Sequence, residues 1–125
     1  MLLKITFLLS ALSTLAIAHI TAIQFFLYWK YFWLDIPMHI LGGVCVALGI
    51  SVLPLFRIQL PKRYETVFIY CVVTLAVGIA WELFEILIGI PVTEEGFFVD
   101  VSIDLGMDVL GGLIGYGIVK NIQKL

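Results

Sequence analysis

The sequence has little charge. Only 13% of its 125 residues are Asp, Glu, Lys or Arg, whereas 62% are hydrophobic. Soluble domains carry about 25% charged residues, and a chain this short has too little interior to bury so many apolar side chains. This composition therefore indicates a protein that lies in lipid. The formal net charge of -2 also excludes a basic surface for nucleic acid.

Cysteine is scarce as well. Cys45 and Cys71 both lie within apolar runs, and neither has a second Cys or a His beside it at metal-ligand spacing. We expect both to be buried as small hydrophobic side chains. A soft-metal site built on cysteine is not predicted.

Four apolar runs predict an all-α fold, an integral membrane bundle of four transmembrane helices. A helix rises about 1.5 Å per residue, so about 20 apolar residues cross about 30 Å of hydrocarbon. We expect a single transmembrane domain over residues 1–125, with helices at about 5–28, 36–56, 66–90 and 103–119. An alternative for the first run is a signal peptide cleaved after Ala16-Ile17-Ala18. Apolar residues continue past Ala18 to an aromatic stretch typical of a membrane interface, which favours a retained helix.

The few charged residues are sorted by side. With four crossings, every basic residue except Lys30 lies on one side of the membrane. These residues are Lys4, Arg57, Lys62, Arg63, Lys120 and Lys124. Cytoplasmic flanks keep Lys and Arg, so both termini are predicted to be cytoplasmic in a cell membrane. The opposite side receives all acidic residues except Glu65: Asp35, Glu82, Glu85, Glu94, Glu95, Asp100, Asp104 and Asp108.

Six residues on the acidic side form three pairs, each on one face of its helix because its members are three or four residues apart. The pairs are Asp35 with His39, Glu82 with Glu85, and Asp104 with Asp108. Glycines accompany them, including Gly42, Gly43 and the Gly111-x-x-x-Gly115 spacing that lets membrane helices approach closely. We therefore expect the three polar faces to pack inward at one level.

Buried carboxylates require compensation, because an ionised acid at the bilayer centre costs about 2.5 to 3.5 kcal/mol. No Lys or Arg lies near these acids within the membrane segments. Bound metal, bound protons or a water-filled pocket remain. Carboxylates with one imidazole suit a divalent ion such as magnesium, manganese, iron or zinc, so all six paired residues are predicted metal ligands. A proton relay and a purely structural network are the alternatives. His19 is expected to form a hydrogen bond between helices.

The motifs Asp35-x-x-x-His39-x-x-Gly-Gly, Trp81-Glu-Leu-Phe-Glu85 and Asp104-x-x-x-Asp108-x-x-Gly111 together resemble those of VanZ-like and YjdF-type bacterial membrane proteins. The likeness covers residues 35–117. It implies a polytopic protein of the cytoplasmic membrane with a loose association to the cell envelope. It implies no substrate. VanZ-like chains tend to have Asn at the position of Asp108.

The leading hypothesis is a divalent-metal site in the extracytoplasmic half of the bilayer. If the protein is an enzyme, we expect a metal-dependent hydrolase or transferase acting on a lipid-linked substrate, with Glu82 and Glu85 as catalytic residues. The alternatives are a proton- or cation-conducting transporter subunit, which would need a homo-oligomer, and a non-catalytic membrane scaffold.

Overall fold

The computed structural model describes residues 1–87 and 96–125, which are 88% helical and contain no strand. The all-α prediction is confirmed for these residues. The long helices are α1 (Leu2–Gln24), α3 (Asp35–Val52), α4 (Val67–Leu87) and α5 (Phe97–Gln123), and the short α2 (Leu27–Lys30) follows α1. The last residues of the predicted third helix, 88–90, lie outside the described residues. Glu94 and Glu95, which follow that helix in the sequence, lie outside them too.

Three segments are long and apolar enough to cross a membrane: Leu2–Gln24, Phe32–Phe56 and Val67–Leu87. The fourth helix is present, but its acidic residues make it less apolar than the other three. Its crossing of the membrane therefore stays a prediction.

Several helix bounds differ from the prediction, and two of these differences lie near the acidic pairs. The first helix ends at Gln24 rather than near Tyr28, because Phe26 adopts a left-handed backbone with φ 54° that a regular helix cannot continue through. Helix α5 begins at Phe97, earlier than the predicted Ile103. The additional residues include Asp100 in the first turn, where a carboxylate favours the positive end of the helix dipole.

The long helices alternate in direction. One small cavity is lined by Met1, which precedes α1, Ser51 of α3, Glu65, which precedes α4, and Gln123 of α5. This gathers the start of α1, the end of α3, the start of α4 and the end of α5 at one end of the bundle. The opposite ends of α3, α4 and α5 therefore meet at the other end, where the acidic pairs lie.

Helix α3 is the central element and packs most closely against α5. A Cβ on Gly43 would overlap the carbonyl oxygen of Asp108, and a Cβ on Gly111 would overlap that of Ile40. A Cβ on Gly115 would crowd Ala47. The Gly111-x-x-x-Gly115 spacing thus serves a contact within the chain, because only glycine lets these two backbones come so near.

Away from the acidic end, the helices pack through apolar side chains. Val44, Ala47 and Leu48 of α3 form a buried core with Tyr70 of α4 and Val119 of α5. Cys45 is buried, as expected, and Cys71 is half-buried. The outer faces carry many exposed apolar side chains, above all on α1, where only Ala22 is buried. Such a surface suits lipid rather than water.

The close α3–α5 contact predicts a sharp difference between two glycines of α5. Gly111→Ala should lower stability by about 1 to 3 kcal/mol, because the added methyl group forces the helices apart. Gly117→Ala should not destabilise the protein, since a Cβ there meets nothing within 4 Å. Thermal unfolding in detergent, followed by circular dichroism, measures both. Equal midpoints for the two variants would contradict the close contact.

Candidate metal centre

His39 lies at the centre of the acidic end. It is buried in the first turns of α3, and carboxylate oxygens from three helices surround its Nε2. Asp35 Oδ1 lies 3.7 Å away, Glu82 Oε1 3.8 Å and Asp104 Oδ1 3.9 Å. All three distances exceed a hydrogen bond, so the oxygens surround Nε2 without binding it directly.

The other ring nitrogen has a partner of its own. Nδ1 of His39 lies 3.2 Å from Asp108 Oδ1, and both side chains are buried. An ionised carboxylate only accepts hydrogen bonds, so in this pair Nδ1–H donates to Asp108. A neutral imidazole then turns its Nε2 lone pair toward the oxygens of Asp35, Glu82 and Asp104. That arrangement is repulsive unless a positive charge lies among them.

Within the described part of the chain, no Lys or Arg forms an ion pair with these carboxylates. In residues 1–87 and 96–125, every ion pair at the cluster involves His39 and none involves Lys or Arg. Two buried oxygens, Glu82 Oε1 and Asp108 Oδ2, also lack a hydrogen-bond partner among the described residues. Buried polar atoms are rarely left unpaired, so these two oxygens are candidates to contact a cation or to carry protons.

Three of the predicted ligands fall into one group. Ligand atoms of Asp35, His39 and Asp104 all lie within 4.8 Å of one another. The side chain of Asp35 is 38% exposed, whereas the other two are buried, so this group opens to the surroundings at Asp35. Glu82 adjoins the group through its 3.8 Å approach to Nε2.

The two remaining predicted ligands are placed differently. Asp108 lies on the Nδ1 side of His39, away from the three-residue group, with Oδ2 directed at Gly78. Glu85 is half-buried in the wall of a cavity between α1, α3 and α4. Their roles as metal ligands, like those of the other four residues, stay predictions. Asp100 continues the acidic stripe of α5 but is exposed.

A second polar contact faces the cluster across this cavity. Nδ1 of His19 lies 2.7 Å from the hydroxyl of Tyr28, and the Trp81 ring meets His19 edge to face at 5.9 Å. Burial, together with the charges of Asp35 and Glu85, raises the pKa of Tyr28 to about 12. The phenol is therefore protonated at neutral pH and donates to His19. Tyr28 was not predicted as a site residue. It lies in an aromatic stretch, and such a stretch predicts only side chains that anchor a helix at the membrane interface.

Comparison with known proteins supports the prediction of a membrane protein. Residues 2–124 match the family described as "Predicted membrane protein (DUF2238)". The chain belongs to this family. No curated protein and no solved structure matches the sequence. Membership in the DUF2238 family confirms a membrane protein, whereas the likeness to VanZ-like and YjdF-type proteins rests on the three motifs alone.

The Tyr28–His19 contact makes a prediction about alkaline pH. Because the pKa of Tyr28 in the folded protein lies above the ordinary value of about 10, its stabilising effect is complete below pH 10 and is lost as pH rises toward 12. Unfolding midpoints measured from pH 8 to 12 should fall less steeply for Tyr28→Phe than for the parent protein. Tyr64→Phe, at the other end of the bundle, is the control. Identical slopes for Tyr28→Phe and the parent would contradict the assignment.

Proposed function

We propose that the protein binds one divalent metal ion at the acidic end of its helical bundle. The observation that carries this proposal is the ring of three carboxylate oxygens around Nε2 of His39. These oxygens come from α3, α4 and α5, and no Lys or Arg among the described residues balances their charge. An ion would satisfy the His39 lone pair and the unpaired Glu82 oxygen together.

The distances fit an ion after a small contraction. Metal ligands lie at about 2.1 Å, which separates neighbouring ligand atoms by about 3.4 Å in a tetrahedral site. The oxygens of Asp35, Glu82 and Asp104 are 3.7 to 3.9 Å from Nε2, and the ligand atoms of Asp35, His39 and Asp104 lie within 4.8 Å of one another, so the side chains would have to move closer together around an ion. Asp108 would then be the outer carboxylate that holds the tautomer and orientation of a ligating His.

The same arrangement supports a reaction class. A divalent ion polarises a carbonyl or phosphoryl oxygen and lowers the pKa of bound water. In our proposal Asp35, His39, Asp104 and Glu82 hold the ion, and Glu85, which lines the adjacent cavity, accepts a proton as general base. We propose metal-dependent hydrolysis or transfer on a lipid-linked substrate, because the cavity beside the ligands is largely apolar and lies at membrane depth.

The surroundings of the site follow from the charge pattern. Lys4, Arg57 and Lys120 belong to the end of the bundle opposite the acidic residues. We propose four crossings of the cytoplasmic membrane, cytoplasmic termini and a site in the outer half of the bilayer. The relation to VanZ-like and YjdF-type proteins is part of this proposal and is supported by the motifs that hold His39, Glu82 and Asp104.

Proton or cation conduction is the second candidate. The unpaired oxygens of Glu82 and Asp108 favour it, because a protonated carboxyl beside His39 satisfies the same geometry as an ion. A proton-conducting protein would hold no stoichiometric metal. Metal analysis therefore separates proton conduction from the metal site.

Elemental analysis of detergent-purified protein tests the metal site. The parent should hold about one divalent ion per chain after incubation with magnesium, manganese, iron or zinc. A His39→Gln, Asp104→Asn double variant should hold none, because both are in the three-residue group. Asp100→Asn, an exposed change one turn from Asp104, should keep the ion. Glu85→Gln should also keep it, because Glu85 lies outside the group. A metal-free parent would refute the proposal and favour proton conduction.

The hydrogen bond from His39 to Asp108 predicts an intermediate effect. Asp108→Asn should weaken metal affinity about 10- to 100-fold without abolishing binding, as expected for a carboxylate that orients a ligating His. Titration with zinc against a competing chelator measures the dissociation constant. Complete loss of binding would instead make Asp108 a direct ligand, as the sequence predicted.

A further inference from the structure

The cavity beside the candidate metal centre is elongated, and most of its lining side chains are apolar. Its volume is about 400 Å³, within the range of about 300 to 1,000 Å³ typical of small-molecule sites. Its walls follow α3 from Asp35 to Val46 and α4 from Thr74 to Glu85. Each stretch covers about 16 Å at about 1.5 Å per residue. One hydrocarbon chain lying along the helices fits this shape.

The cavity lies between α1 and α4 beside α3. Helix α1 packs on α3, whereas α1 and α4 are in little contact across the cavity. Leu12, Leu15 and Ala16 of α1 face Val77 of α4 along its length, and the rings of His19 and Trp81 bridge the two helices near the acidic end. A chain from the bilayer therefore has an apolar route between α1 and α4.

The polar end of the cavity combines aromatic rings with carboxylates. Tyr28 and Trp81 both pack against His19, at centroid distances of 5.7 and 5.9 Å, and all three line the cavity. Asp35 and Glu85 line the same end. Rings of this kind next to carboxylates recognise ammonium groups, because the ring faces and the oxygens both attract a positive charge.

Asp108 adds a separate indication. It lines the cavity, it is more than nine-tenths buried, and its Oδ2 has no hydrogen-bond partner in the described part of the chain. Its neighbour across the cavity wall is Gly78, where a Cβ would overlap this oxygen. Asp108 thus adds a buried carboxylate to the wall of the cavity.

From these features we infer that the cavity binds an amphiphile with one hydrocarbon chain and an ammonium head group, which enters from the bilayer between α1 and α4. The chain lies along Leu12, Ala16 and Val77, and the ammonium group lies among Tyr28, Trp81 and Glu85. An anionic head is disfavoured, because the carboxylates of Asp35, Glu85 and Asp108 face this space and a divalent ion at His39 leaves their charge in excess. The ligand is a substrate only if the proposed metal site is catalytic, whereas its binding depends on the cavity alone.

Fluorescence quenching in dodecyl maltoside micelles tests this inference. Trp29→Phe and Trp33→Phe together leave Trp81, at the polar end of the cavity, as the one tryptophan. The probes are chain-brominated dodecyl amphiphiles with a trimethylammonium, sulfate or maltoside head. They are compared at equal mole fraction in the micelle. The ammonium probe should reach half-maximal quenching at a mole fraction about tenfold lower than either of the others.

Two variants with matched controls separate the chain from the head group. Ala16→Phe fills the cavity from α1 and should abolish saturable quenching, whereas Ile17→Phe, on the exposed face of α1, should not. Glu85→Gln should remove most of the preference for ammonium while the chain still binds. Glu65→Gln, at the far end of the bundle, should preserve it. Circular dichroism and size-exclusion chromatography establish that each variant is folded.

Three results would overturn the inference. Equal quenching by the three probes removes the ammonium preference, and unchanged quenching in folded Ala16→Phe removes the cavity as the binding place. Unchanged preference in Glu85→Gln removes the assigned head-group contact. Elemental analysis of Ala16→Phe keeps these results apart from those on the metal site, because filling the cavity leaves Asp35, His39 and Asp104 in place and should not release the ion.

Discussion

The close contact between α3 and α5 is the constraint on which the rest of the structure depends. Gly43 and Gly111 bring the two backbones together, since any side chain at either position would overlap a carbonyl oxygen of the other helix. At that distance the short side chain of Asp108 reaches the ring of His39. The ring is thereby turned so that Nε2 faces the carboxylates of the other helices. The glycine contact that brings α3 and α5 together therefore also orients the polar site.

Burial within the protein removes most of the solvation of the carboxylates at the acidic end. Carboxylates at the surface of a soluble protein are balanced by water and salt, but here Glu82, Asp104 and Asp108 are buried. Their charge therefore has to be matched locally, and His39 is one neutral or singly charged group among several acids. This imbalance is why the cluster supports a function that brings in a cation, and why a network kept only for helix packing is a weaker account.

The cavity gives the site a second component. One wall is the acidic cluster, the other is the His19–Tyr28 pair, and apolar side chains of α1, α3 and α4 line the rest of the space. Because α1 packs on α3 and leaves α4 largely free, its contribution is a wall rather than a part of the core. An ion at His39 and a chain along α1 would lie side by side, with Glu85 next to both.

The sequence by itself determined the membrane class, the all-α fold, and the three acidic pairs at one end. Composition and helical periodicity are local properties, so they can be read without the fold. The end of α1 at Gln24 and the start of α5 at Phe97 were not predicted, because each lies beside a single residue with a left-handed backbone, Phe26 or Gly96, which a hydrophobic run does not reveal. Only the tertiary structure separated Asp108 and Glu85 from the group of Asp35, His39 and Asp104. Helix rotation and side-chain direction set those distances, and both depend on the contacts of Gly43 and Gly111 between helices far apart in the chain.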